Sequence, residues 1–317
     1  MLGGFFVGLL ALFGLADLFG LPLLSADLGP QARFALDAGT VVTAAAAAGF
    51  LIRPIRKDVS AVIPIDPDNP VHTMALVFAT VLLGIQLTSI AFTDVLATSN
   101  AQPALTVLDL FEDELPFLVA AVVGVGLFIR RSVPASAGRL GLVVPRWWHI
   151  ALALACTGIF FGLGQASDVL SHMFTPQVAH RVDATTQHVF GLLNNDALGI
   201  VAVALIPGIC EELLFRGALQ PRLGLVVTAL LFTSIHTEYG LSLDTLTVFL
   251  IAIGLGLIRK YTNTTASCVC HISYNLLVGI GIAGALQSAA LIAEAALVAV
   301  SVYAIWAERR RHAAEAH

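Results

Sequence analysis

Long apolar runs separated by short charged segments recur from one end of the chain to the other, and this pattern constrains the fold more than any other feature. The run from Val71 to Phe92 contains no Asp, Glu, Lys or Arg. At about 1.5 Å per helical residue it can cross the roughly 30 Å hydrocarbon core of a bilayer. Charged residues make up 12% of the chain and hydrophobic ones 58%, against about 25% and 45–50% in soluble proteins. The expected fold class is all-α: a polytopic transmembrane helical bundle of about ten spans (eight to ten). Its 317 residues leave no room for a separate soluble domain of ordinary size.

The expected spans are Gly3 to Leu24, Phe34 to Ile52, Val71 to Phe92, Leu115 to Ile129, His149 to Gly164, Val189 to Arg216, Leu223 to His236, Leu243 to Ile258, Thr265 to Leu286 and Ser288 to Trp306. The first is too long for the core of a signal peptide, has no basic residue before it and contains Asp17, so it reads as a retained span. The second is Ala-rich enough for close helix packing. Basic clusters at Arg53, Arg56 and Lys57, at Arg130 and Arg131, at Arg139 and Arg146, at Arg222, at Arg259 and Lys260, and at Arg309 to Arg311 all fall on one side of this count. By the positive-inside rule that side is cytoplasmic, which puts both termini in the cytoplasm. Trp147 and Trp148 suit an interfacial aromatic belt.

Two intervening segments read as solvated outer loops. One is the acidic stretch Asp94 to Glu114, with Asp109, Glu112, Asp113 and Glu114; the other holds Asp168, His172, His180, Arg181, Asp183 and His188, irregularly spaced for a metal site. Cys156, Cys210, Cys268 and Cys270 all lie in apolar segments and read as small core residues. No basic run interleaved with aromatics suggests nucleic acid, and no internal repeat supports an inverted-repeat transporter.

The polar residues that the apolar pattern does not explain lie in the last third. Glu211 and Glu212 arrive in an apolar segment where an acid costs roughly 2.5–3.5 kcal/mol at the centre of a membrane helix. Arg216 follows four residues after Glu212, His236 lies in the next span, and His271 and Asn275 stand four residues apart in the last but one. Counting about 1.5 Å per residue, Glu211 lies roughly 15 Å before the turn at Pro221 and His236 roughly 18–20 Å after it. On the same rise His271 and Asn275 follow the loop near Thr264 by about 10 and 16 Å. All therefore fall at similar depth and are able to converge. At i and i+4, Glu212 and Arg216 share a helix face and can neutralise each other. Glu211 points about 100° away from that pair, and burial without a cation raises the proton affinity of a carboxylate, which suits a general base. His236, His271 and Asn275 add two imidazoles and a neutral donor able to stabilise an oxyanion.

Glu211-Glu212-Leu213-Leu214-Phe215-Arg216 with Gly217, Phe232-x-x-x-His236 and His271-x-x-x-Asn275 together resemble the three motifs of the CPBP family, the type II CAAX prenyl endopeptidases and related membrane proteases. The stretch Phe249 to Tyr261, with Gly254 and Gly256, resembles the family's segment between its second and third motifs. The resemblance covers about Asp196 to Leu286. It divides the chain into N-terminal helices of unknown role (1–145) and a protease-like core (146–317). It implies an intramembrane endopeptidase in which Glu211 activates water, Glu212 and Arg216 support it, His236 and His271 are catalytic, Asn275 is the oxyanion donor and Phe232 shapes the pocket. The substrates implied are lipid-anchored or transmembrane peptides met in the lipid phase, with CAAX-type C-terminal processing as one form. Glu211, His236 and His271 also make up a possible zinc set with water as fourth ligand. The helical His-Glu-x-x-His arrangement is missing, which favours a route without metal. The rival readings are a proton- or ion-coupled transporter using the same buried acids and histidines as a relay, and a catalytically silent membrane scaffold.

Overall fold

The computed structural model describes residues 2–20, 29–281 and 285–315, and among them helices occur without any β-strand. In chain order the first are α1 (Leu2–Leu18), α2 (Pro30–Gly49), α3 (Arg53–Val59), α4 (Pro70–Phe92) and α5 (Val95–Ala101). They are followed by α6 (Val107–Gly124), α7 (Val133–Leu140), α8 (Trp147–Phe174), α9 (Pro176–Asn194) and α10 (Ala197–Glu211). A π-helical segment, Glu212–Leu219, continues α10 into α11 (Gln220–Leu223). The chain closes with α12 (Leu225–Ser234), a 3-10 turn at Thr237–Tyr239, α13 (Leu243–Tyr261), α14 (Thr264–Ile280) and α15 (Ala285–Glu315).

The all-α expectation holds. Among the described residues, four helical stretches are long and apolar enough to cross a membrane: Pro70–Phe92, Trp147–Phe174, Ala197–Leu223 and Ala289–Glu308. The pair α2 and α3, bent by 87°, adds a fifth if counted as one broken span. Gly3–Leu18, Leu225–Ser234 and Thr264–Ile280 are shorter apolar helices. α6, with Asp109, Glu112, Asp113 and Glu114, and α13, with Asp244, Arg259 and Lys260, are not among these long apolar stretches. The expected ends of the first span at Leu24 and of the ninth near Leu286 reach beyond or run through residues outside the described set.

Both expected outer loops turn out to be largely helical. Asp168 and His172 lie on α8, and His180 to His188 lie on α9, where buried Ala179, Val182 and Thr185 recur at helical spacing while His180, Arg181 and Asp183 are exposed. Polar content alone suggested a loop, whereas the apolar period of three marks an amphipathic helix. In the acidic stretch, Thr106 and Asp109 form a reciprocal capping box that starts α6. Glu114 sits a turn further on and is buried. The span expected from Val189 is interrupted, because α9 ends at Asn194 and α10 begins at Ala197.

The chain forms two compact units, each assembled from separate stretches of sequence. The first comprises Met1–Pro103, Gln177–Val189 and Leu219–Phe249. Its core joins α1, α2 and α4 through Val7, Ala44, Ala47, Val77 and Val81. Two glycines let α2 and α4 approach closely. A Cβ on Gly39 would stand 2.2 Å from Thr88 Cγ2, and one on Gly84 would stand 2.4 Å from Thr43 Oγ1, so each threonine fills the place a side chain would take. α5 is tied to α9 by Asn100 donating to Thr185 (2.8 Å) and by an exposed Arg181–Asp94 ion pair (2.5 Å).

The second unit comprises Ala104–Pro176, Phe190–Ala218 and Leu250–His317. Ala153 and Phe160 of α8, Ile251, Leu255 and Ile258 of α13, and Ala266 and Cys270 of α14 form its largest core cluster. Gly254 accommodates the Phe160 ring, which a Cβ there would meet at 2.3 Å. A second cluster joins α6 and α7 to the π segment through Ala121, Val125, Leu140 and Leu213, and a third joins α6 to α10 through Leu110 and Ala202. All four cysteines are free thiols, with Cys210, Cys268 and Cys270 buried.

Candidate active site

α10 reaches the site with a proline and a glycine in its last turns, and each has a specific partner on α14. Pro207 has no N–H, so the carbonyl of Val203, four residues earlier, loses its ordinary helical donor. The side-chain amide of Asn275 supplies the replacement, donating from Nδ2 to Val203 O at 3.2 Å. At Gly208 a Cβ would stand 2.6 Å from Ile272 Cγ1 and 3.2 Å from its backbone nitrogen. The glycine therefore sets how closely α10 can approach α14, and with it the distance from the Glu pair to His271.

Immediately after Glu211 the winding widens into the π segment that carries Glu212 and Arg216. Such segments are uncommon and recur at functional sites. Glu212 has 0% and Arg216 1% of its side chain exposed, so each charge depends on its partners for solvation. Arg216 Nη1 lies 3.1 Å from Glu212 Oε1, as the spacing predicted, and Nη2 reaches Ala252 O at 3.5 Å. Glu212 has two further partners on α14, the Ser267 hydroxyl at Oε2 and His271 Nδ1 at 3.1 Å from Oε1. Ser267 Oγ also lies 3.2 Å from the Leu255 carbonyl.

These contacts fix which nitrogen of His271 meets Glu212. A carboxylate only accepts hydrogen bonds, so the bond to Glu212 puts a proton on Nδ1, and in the neutral ring Nε2 then carries the lone pair. Nε2 faces Glu211 Oε2 at 3.8 Å. That separation is too long for a direct hydrogen bond and short enough for one water to touch both atoms. Glu211 and His271 are 5% and 6% exposed, so a water held between them would be shielded from bulk solvent.

The second unit thus brings Glu211, Glu212, Arg216, His271 and Asn275 together. Phe232 and His236 belong to the first unit. There His236 Nδ1 lies 2.9 Å from the Phe232 carbonyl, which fixes the same tautomer as in His271, with the lone pair on Nε2. Its ring packs against Phe232 (centroids 4.7 Å) and lies parallel to Tyr239 (6.3 Å, 12° between planes).

Residues 193–277 match the family model "Type II CAAX prenyl endopeptidase Rce1-like". The resemblance read from the motifs is thereby shown for that segment. The Rce1-like segment holds Glu211, Glu212, Arg216, Phe232, His236, His271 and Asn275, and also Pro207, Gly208 and Ser267. No curated protein and no solved structure matches the chain. Sequence reasoning missed Ser267, whose signal was its place four residues before His271 on the face shared with Asn275. It also missed the link between Pro207 and Asn275, which no spacing within one helix reveals.

Proposed function

We propose that the chain is an intramembrane endopeptidase that hydrolyses a peptide bond in lipid-anchored or transmembrane substrates, with Glu211 as the base that activates water. The observation that carries this reading is the 3.8 Å approach of the buried Glu211 carboxylate to Nε2 of His271, whose other ring nitrogen meets Glu212 at 3.1 Å. In this mechanism the water gives one proton to Glu211 while its oxygen attacks the scissile carbonyl carbon, and the carbonyl electrons move onto oxygen. Asn275 has a second N–H besides the one given to Val203, and with a histidine it stabilises that oxyanion. Collapse of the tetrahedral intermediate breaks the C–N bond, and the proton taken by Glu211 passes to the leaving amine. Arg216 and Ser267 act through Glu212: they hold the carboxylate that orients His271. His236 serves in proton transfer or in orienting the water.

The match to a prenyl endopeptidase family supports CAAX-type C-terminal processing as the substrate class. A bundle of about ten spans with both termini in the cytoplasm, and a site open to that side and laterally to lipid, fits the distribution of basic clusters. The route needs no metal. Should zinc take part, Glu211, His271 and His236 would be the residues to hold it, and the first two already lie 3.8 Å apart. The ion would then supply Lewis-acid activation of the water.

The test is cleavage of a lipidated peptide by protein purified in detergent. Wild type should release a C-terminal fragment and Glu211→Gln should not, with both forms folded alike. Equal cleavage by the variant removes the proposal, and substrate uptake into liposomes without any peptide product would favour transport.

A further inference from the structure

α14 carries Ser267 and His271 toward the Glu pair, and α8 holds the same helix on a neighbouring face. Ala266 and Cys270, each turned about 100° from Ser267 and His271, pack with Ala153 and Phe160 of α8. Polar and small-residue contacts join the two helices at three levels, in the same order along both. Asn263 Nδ2 lies 3.0 Å from His149 Nδ1, Thr157 Oγ1 lies 3.1 Å from the Cys270 carbonyl oxygen, and a Cβ on Gly164 would stand 3.5 Å from the Tyr274 hydroxyl. The middle level adjoins the site. Cys270 precedes His271, so the carbonyl that Thr157 meets belongs to the same planar peptide unit as the His271 N–H. Ile272, which follows, is the residue that Gly208 of α10 closes upon. His271 is therefore held between two contacts from different helices, one on the residue before it and one on the residue after.

Burial alone does not require the bond between the helices. Thr157 is 3% exposed, and its hydroxyl also lies 3.0 Å from the Ala153 carbonyl one turn back, which is how a buried threonine ordinarily satisfies its proton within its own helix. The Cys270 carbonyl lies inside α14, where the N–H four residues on serves as its helical donor. Valine, of the same shape, would strand neither carbonyl. What the hydroxyl adds is direction, because a hydrogen bond weakens steeply away from its preferred distance and angle, whereas contacts between alanines let one helix slide or turn on another. We propose that Thr157 is a positioning residue for the hydrolysis, fixing the height and rotation of α14 so that His271 Nε2 stays opposite Glu211 at 3.8 Å. This rests on the endopeptidase reading above. On the same footing, α8 supports the site from outside the segment that matches the family.

The experiment measures kcat, KM and the thermal midpoint of wild type, Thr157→Val and Thr157→Ser on a lipidated peptide in detergent. Thr157→Val keeps the shape and removes the hydroxyl. It is expected to lower kcat about ten-fold with KM nearly unchanged, since a displaced catalytic group costs rate and not binding. Thr157→Ser keeps the hydroxyl and removes a buried methyl, so its midpoint should fall by a few degrees while kcat stays within about two-fold of wild type. Activity and stability thus part company in opposite ways in the two variants, which a merely structural threonine would not produce. Wild-type kcat in Thr157→Val overturns the proposal and leaves the endopeptidase reading standing, as does a Thr157→Ser kcat that falls as far as that of Thr157→Val. A wild type without cleavage overturns that reading and this proposal with it.

Discussion

The buried Glu212–Arg216 pair makes a quantitative prediction that separates support of the site from simple helix glue. The two charges lie 3.1 Å apart with at most 1% of either side chain exposed. At an effective dielectric of 20 such a pair attracts by about 5 kcal/mol, and removing both ions from water costs a comparable amount, so the intact pair contributes little net stability. Breaking it is different. Arg216→Met leaves Glu212 with only the Ser267 hydroxyl and the His271 imidazole, and stranding a buried charge in this way costs about 3–5 kcal/mol. That is a large share of a typical stability of about 5–15 kcal/mol. Glu212→Gln takes from Arg216 the carboxylate it pairs with and should cost a similar amount. The double variant Glu212→Gln/Arg216→Met removes both charges and should be more stable than either single change. Unfolding in mixed micelles, followed by two probes that must coincide, measures the cycle. Costs that simply add would refute the view that each charge is held by the other. The double variant should nevertheless stay inactive, because the glutamine amide can accept from or donate to His271 Nδ1 and so no longer selects the tautomer that an acceptor-only carboxylate selects.

Three further outcomes follow from the same geometry. Asn275→Leu should cost about 1–3 kcal/mol by orphaning the Val203 carbonyl, and adding Pro207→Ala should return most of that loss, because alanine restores the missing helical N–H; a midpoint unchanged by the second substitution would contradict it. Ser267→Ala removes a hydroxyl that binds the Glu212 carboxylate, and should lower kcat several-fold at a stability cost of about 1.5–3 kcal/mol, checked by parallel kinetics and unfolding. Dialysis against a strong chelator should leave cleavage unchanged on the metal-free route, and loss of activity restored by zinc would transfer the chemistry to a metal-bound water.

Much of the site was legible in the sequence because acids are expensive in an apolar helix. Glu211 and Glu212 had to be paired or functional, and the i, i+4 spacing named Arg216 as a partner correctly even though the segment is wound as a π-helix, in which residues four apart still adjoin. The other partners of Glu212 were hidden because Ser267 is cheap in a membrane helix and attracts no attention on its own. Asn275 was read for its donor chemistry alone; that one of its N–H groups repairs the backbone at Pro207 depends on two helices meeting, which the Gly208–Ile272 contact makes possible. The fold was legible as all-α and apolar, and less so in detail. α9 and the start of α6 hide behind charge: His180, Arg181 and Asp183 point outward from a helix whose buried side is only Ala179, Val182 and Thr185, and the Asp109 carboxylate begins a helix as a cap. Glu114, grouped by composition with its acidic neighbours, is separated from them only by burial.

The central claim is that Glu211 is the base in a peptide hydrolysis, and mass spectrometry tests it most directly. The lipidated peptide is incubated in H2(18)O with wild type and with Glu211→Gln, both checked for equal folding. The account predicts a shortened product carrying one 18O in its new carboxyl group with wild type, and none above background with the variant. The same labelled product from Glu211→Gln, at an undiminished rate, would contradict it.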